Sequence, residues 1–478
     1  MGSLAARRVP PSTLAHDLAE RAWRHPDRPA VSFGTGEWPW PQVSYAELWR
    51  RSSVFAGAVR GARCTRSHPR FVLIALPNGI DYVAAFYGCL IAGAVAVPFF
   101  PPALSTGRAA QAFHRRLAQI AGDCHPSIAI FPTGQVEQAR AALPADTRVV
   151  SPEDLTAPSD DDAAAQLRAR PDDLALLQYT SGSTSVPRGV MVSHANLVHN
   201  TTGLGARLGS AEGEAVTTWL PLFHDMGLIG MVCHPLAAGM TIHLTTPAAF
   251  VRRPSLWLRT ISESRSTVTM APNFAYDLAV RWVTEEQRSG MDLSCLRHAV
   301  NGAEPVRPTT VERFANTYRA YGFDPAAMTP TYGLAENTLV ASAPVGRAPC
   351  QQLTVSTARL SGAGVAAPAQ PGEAHTVLVG CGAAVAPDDE NVIVDPRSGR
   401  PCPAGSVGEI WCTGPSVAHG YWGQAEASEQ TFAAQLPGDG RRFLRTGDLG
   451  VTVDGELYIV GRAKDVIIQY GVNHYPQD

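Results

Sequence analysis

The sequence predicts an α/β fold with mainly parallel sheets, followed by a smaller, mainly antiparallel β module. Apolar strand-like runs alternate with helix-like runs through most of the chain. Beyond about residue 350 the runs shorten and glycine turns separate them, as in antiparallel hairpins. Length adds a third observation. A chain of 478 residues exceeds what one hydrophobic core organises, so at least two units are expected.

The elements follow in order. "RFVLIALP" (residues 70–77) reads as a buried strand. "YVAAFYGCLIAGAVAVPFFPPAL" (residues 82–104) is long and uncharged enough to imitate a membrane span. Gly88 and Gly93 interrupt it, and Pro98, Pro101 and Pro102 end it. The expectation is therefore a buried helix to about Ile91, a glycine break and a buried strand from Ala94 to Phe99, not a membrane span. "GRAAQAFHRRLAQIAGD" reads as a helix, and "PSIAIFP" and "LALLQYT" as further strands. The acidic "SPEDLTAPSDDDAAAQ" reads as a surface connector. Residues 350–376 are rich in Gly, Ala, Pro and small polar side chains, as in an insertion or mobile loop. "NVIVDP", "GEIWCTG", "RFLRTGDLG" and "GELYIVGR" supply the late strands. The chain stops at "GVNHYPQD", just after a strand-like segment, as a cut inside a longer protein would.

Composition narrows the function classes. Apolar residues make up 45% and charged residues 17%, a globular balance. A net charge of −3 gives no basic surplus for nucleic acid or an anionic membrane. Nine cysteines show no CxxC spacing, which argues against a zinc site and for reduced thiols in a cytoplasmic protein. The N-terminus has no apolar run like that of a signal peptide, and Ala at position 6 breaks the myristoylation pattern.

One stretch carries chemistry. "TSGSTSVPRG" (residues 180–189) follows a strand and precedes a helix that Ser193 is placed to cap. Small residues let backbone N–H groups turn toward an anion, and hydroxyls add donors. Thr180, Ser181, Gly182, Ser183 and Thr184 are thus candidates to wrap a triphosphate, with Arg188 as the counter-charge. The spacing is not GxxxxGK[ST], so a hydrolase or kinase loop is disfavoured.

The stretch has company. Together with "PTYGLAENTL" (residues 330–339), "LRTGDLG" (residues 444–450) and "GRAKDVIIQYGVNHYP" (residues 461–476), it resembles the adenylate-forming superfamily in type and order. "WLPLFHDMGLIG", "APNFAYDL", "NGAEPV" and "GPSVAHGYW" resemble one branch, the fatty acyl-AMP ligases. The resemblance implies an N-terminal adenylation domain over residues 1–462. It would hold two α/β subdomains to about residue 345, an insertion at about 350–376 and a small β-barrel-like subdomain at about 377–460. Residues 463–478 would be the hinge and the start of a C-terminal domain that is largely absent. A lysine of that domain closes over the carboxylate in the family, so this chain is expected to form acyl-AMP slowly.

The resemblance also implies roles. A fatty acid and ATP would give acyl-AMP and pyrophosphate, and an acyl carrier protein or polyketide synthase carrier domain would accept the acyl group. Residues Thr180 to Thr184 would hold the β- and γ-phosphates with Arg188, where lysine is usual. Glu336, with Thr184, would hold Mg²⁺. Tyr332 would stack on adenine in a pocket lined by Gly302, Ala303, Glu304, Thr331 and Gly333. Asp448 would bind the ribose hydroxyls, and Arg462 the ribose or phosphate. Lys464 would be the hinge. His224 and Asp225 would flank the acyl entrance. Met231 lies in an apolar run, "GLIGMVCHPLAAGM", that reads equally as tunnel wall or core. The alternatives are an acyl-CoA synthetase and a non-catalytic nucleotide- or acyl-binding relative.

Overall fold

The structure is a computed structural model, which describes residues 13–62, 69–101, 107–156, 167, 169–180, 187–465, 467–469 and 472–474. Three sheets organise it. The first has six strands, in the order Arg148–Val150, Ile128–Ile130, Phe71–Ile74, Val95–Pro98, Leu174–Thr180 and Arg188–Ser193. All neighbours are parallel except the last pair. The second has seven strands, in the order Met328–Pro330, His298–Asn301, Val268–Ala271, Ala215–Thr218, Thr241–Leu244, Pro29–Phe33 and Gln42–Ser44. It too is parallel except at its last pair. The third is antiparallel and runs Arg400–Pro401, Glu390–Asp395, Gly408–Thr413, Leu444–Val453 and Glu456–Arg462. The α/β class with a late β module therefore holds.

The stretch that imitated a membrane span is a buried helix, Ile80–Ala92, followed by the strand Val95–Pro98. Gly93 ends the helix at φ 67°, a left-handed cap. Gly88 does not interrupt the helix. A Cβ there would lie 2.5 Å from Phe55 Cβ and 2.9 Å from the Ser52 carbonyl, so glycine lets the helix Tyr45–Gly61 pack closely. Among the described residues no helix is long and apolar enough to cross a membrane.

Residues 350–376 are not a plain loop. Gln352–Ser356 pairs antiparallel with His375–Val379, and Thr357–Ala363 is a short helix between them. Val355 and Leu360, both fully buried, pack with Val451, Tyr458 and Val460 of the third sheet. Two such side chains contribute about 1.5–3 kcal/mol each, enough to dock a segment otherwise poor in apolar residues.

The first helix, Leu14–Arg24, hides a carboxylate. Asp17 is 8% exposed, and burial raises its pKa from 3.8 to about 7, with Arg21 opposing and Glu20 adding. A folded pKa above the unfolded one means that its contribution is full below the unfolded value and is lost as pH rises through about 7. The shift alone corresponds to about 4 kcal/mol, and the helix N-terminus offsets up to ~2 kcal/mol of it. Asp17→Asn is expected to stabilise the fold by about 2 kcal/mol near pH 8 and by little near pH 4, as read from thermal unfolding at both pH values.

Candidate active site

The carboxyl ends of parallel strands in both large sheets open onto one cavity of about 1120 Å³. Ligands of open α/β sheets sit at such strand ends because the chain leaves the sheet there in loops. Thr180 ends its strand at the cavity, and Arg188 begins the next one there. These two are paired across antiparallel strands. Ser181, Gly182, Ser183 and Thr184 lie outside the described residues. The expected step from loop to helix is replaced by the strand Arg188–Ser193, because "RGVMVS" pairs with "LALLQYT". Ser193 then caps the helix His194–Leu208, its Oγ accepting from the Asn196 N–H at 3.1 Å.

Asp225, Glu336 and Asp448, the three carboxylates with an expected role, line the cavity together with Glu409. Asp448, 5% exposed, sits in the strand Leu444–Val453. Its Oδ2 accepts from the Tyr332 hydroxyl at 2.7 Å and its Oδ1 from Arg462 Nε at 2.9 Å. Burial raises its pKa, and the Tyr332 hydrogen bond and the Arg462 charge oppose the rise. Glu336 lies in the turn Ala335–Asn337, and its Oε1 accepts from the Tyr421 hydroxyl at 2.9 Å. Burial raises its pKa as well, and Asp225 and Asp448 add to the rise. Asp225 Oδ1 lies 2.6 Å from His224 Nδ1, and that carboxylate raises the His224 pKa. The imidazole stays open, 53% exposed.

Cations and apolar side chains share the same walls. Arg462 and Lys464 line the cavity near Asp448. The Arg188 guanidinium lies over the Tyr421 ring, 5.1 Å from its centroid. Arg116, which carried no expectation, donates from Nη2 to the Thr180 carbonyl at 3.0 Å. Phe99, Phe100, Phe223, Met226 and Met270 form apolar wall, with the Phe99 and Phe100 rings stacked at 4.2 Å.

Thr331, Tyr332 and Gly333 also line the cavity, as does Ala303, held in the left-handed region at φ 65°. A Cβ on Gly333 would fall 1.9 Å from the Leu339 carbonyl oxygen, so only glycine fits there. Three named residues do not reach the cavity wall. Gly302 packs against Thr331 behind it. Glu304 is exposed and accepts from the Phe274 backbone N–H. Met231 is fully buried in core, inside a π-helical run, Met226–Cys233, of which only Met226 touches the cavity. Among the described residues, no three His, Cys, Asp or Glu side chains converge as a ready-made metal site.

Comparison with known proteins converges on one group. The AMP-binding enzyme family matches residues 18–422. The medium-chain-fatty-acid–[acyl-carrier-protein] ligase JamA of Moorena producens is 39% identical over 479 residues, covering 98% of this chain and 79% of that protein. The crystal structure of a fatty acid AMP ligase from Legionella pneumophila superposes with a TM-score of 0.87 at 31% identity, over 97% of this chain and 79% of that one. A fatty acyl-adenylate ligase from L. pneumophila, in complex with acyl adenylate and pyrophosphate, gives 0.86 at 32% identity, over 95% and 78%. With the matched span, these identities and one cavity that joins charged to apolar walls, the chain belongs to the AMP-binding enzyme family, among its fatty acyl-AMP ligases.

Proposed function

We infer that the protein activates a fatty acid with ATP and presents it for transfer to the phosphopantetheine thiol of a carrier protein. A carboxylate oxygen of the acid bonds to the α-phosphorus of ATP. The bond from that phosphorus to the bridging oxygen breaks, and pyrophosphate leaves. The observation that carries this reading is the single cavity lined both by Arg188, Glu336 and Asp448 and by Phe99, Phe100 and Met270. Two anions must be held in line there, so most of the rate enhancement comes from positioning and fixed charge.

The residues divide the work by chemistry. Thr180 and Arg188 hold the pyrophosphate end, with Ser181 to Thr184 between them in sequence. Arg keeps the charge of the usual lysine and adds a planar fork. Asp448 accepts from the ribose hydroxyls, and Tyr332, Ala303 and Gly333 face the base. His224, raised in pKa by Asp225, orients the incoming carboxylate. Glu336 fits Mg²⁺: it is a carboxylate whose charge burial penalises, with no ion pair among the described residues. Magnesium sites of this kind use one or two carboxylates, waters and substrate phosphates. When bound, the ion neutralises charge on the phosphate oxygens.

Mass spectrometry of products from ATP, Mg²⁺ and fatty acids of mixed chain length is expected to show acyl-AMP. ADP without acyl-AMP would overturn the reading. Adding holo carrier protein in one arm and free coenzyme A in another tests the acceptor. Acyl-thioester is expected on the carrier, and preferential acyl-CoA would assign the alternative chemistry.

A further inference from the structure

Arg188 and Glu336 carry opposite charges on the wall of one cavity, yet no ion pair joins them among the described residues. Tyr421 stands between them. Its ring carries the Arg188 guanidinium on one side, and its hydroxyl donates to Glu336 Oε1. The residue is 4% exposed and its ring packs edge-on against Phe432 at 5.1 Å.

The backbone around Tyr421 is tied to both neighbours. The Trp422 N–H donates to the Gly189 carbonyl at 2.8 Å, and the Met191 N–H to the Gly420 carbonyl at 2.9 Å. These bonds join it to the strand that carries Arg188. The Ala418 N–H donates to the Glu336 carbonyl at 3.0 Å, which joins the same segment to the turn that carries the carboxylate. A rigid aromatic side chain is thus fixed from two directions at the place where a flexible one would let the charges meet.

We propose that Tyr421 is a positioning residue that keeps Arg188 and Glu336 from neutralising each other, so that the guanidinium stays free for the phosphates of ATP and the carboxylate for a divalent cation. An Arg–carboxylate pair inside the cavity would be a strong, charge-assisted contact that phosphate would have to break. The ring prevents that pair and holds the guanidinium over its face.

The inference rests on the reading of the cavity as an ATP site. The test is ATP binding by calorimetry in EDTA, so that no metal contributes. Tyr421→Leu is expected to weaken ATP binding about tenfold, the size of a lost partly desolvated cation–π contact plus a competing ion pair. Adding Glu336→Gln to that variant is expected to raise ATP affinity by about threefold more than the same change does in the parent chain, because only in the variant does the carboxylate compete for Arg188. Tyr421→Phe keeps the ring and is expected to bind ATP within about threefold of the parent chain. If the leucine variant loses its thermal transition, Tyr421→Met, which fills more of the space, carries the same expectation. A gain from E336Q no larger in either variant than in the parent chain, with ATP binding by the parent chain intact, overturns the spacer role alone. Failure of the parent chain to bind ATP overturns the reading beneath it.

Discussion

Asp448→Ala is expected to weaken ATP binding by about tenfold to a hundredfold, the range for losing a charged hydrogen-bonding partner. Calorimetry on the 478-residue chain reads this without requiring turnover. Both carboxylate oxygens are engaged, one by the Tyr332 hydroxyl and one by Arg462. A ribose hydroxyl would therefore exchange with Arg462, the more exposed partner, while Tyr332 keeps its bond. Alanine removes the acceptor for both and leaves a buried tyrosine hydroxyl unpaired, so some loss of stability accompanies the loss of affinity. Asp448→Asn separates the two effects. It still offers one oxygen to Tyr332, so the fold is expected to hold while the charge-assisted part of ribose binding is lost. ATP affinity unchanged in folded D448A would remove the ribose role.

The second large effect falls on chemistry. Glu336→Gln is expected to slow acyl-AMP formation by about 10²–10³, as read by pyrophosphate release with fatty acid and saturating ATP. The amide still accepts from the Tyr421 hydroxyl, so packing is preserved. Burial already disfavours the ionised carboxylate, and its pKa is raised accordingly. The neutral amide is therefore expected to leave thermal stability near neutral pH unchanged or slightly higher. The half-saturating Mg²⁺ concentration is expected to rise in parallel. A variant with the parent rate and the parent Mg²⁺ dependence would show that the carboxylate holds no cation.

Local rules made much of the fold legible. Gly93 and the prolines after it told a buried helix and strand from a membrane span, and the strand Leu174–Thr180 could be placed from its apolar run alone. Long-range pairing stayed hidden. Pro29–Phe33 joins the second sheet beside Thr241–Leu244, a partner that no local pattern names. Gly88 looked like a break because composition cannot show that a second helix lies against it. Within the site, motif order placed Asp448, Tyr332 and Glu336 on one cavity. Met231 was left open between wall and core because the two have the same composition, and a π-helical run, which sequence does not announce, shifts which residues share a face. Glu304 follows Ala303, whose left-handed backbone turns the chain so that the next side chain faces solvent. Tyr421 lay in a quoted motif, but its contacts come from the meeting of two distant segments, which only the folded chain reveals.

The docked strand pair formed by Gln352–Ser356 and His375–Val379 changes how the role of residues 350–376 should be dissected. Excising residues 350–376 would strip cover from Val451, Tyr458 and Val460, on the strands that also hold Asp448 and Arg462. A shortened protein would then lose nucleotide binding for reasons unrelated to any role of the segment itself. The outward-facing Gln351, Gln352 and Thr354 offer handles that leave this underside closed. Exchanging those surface side chains, rather than cutting the segment out, would let the role of the segment be read apart from the integrity of the cavity beneath it.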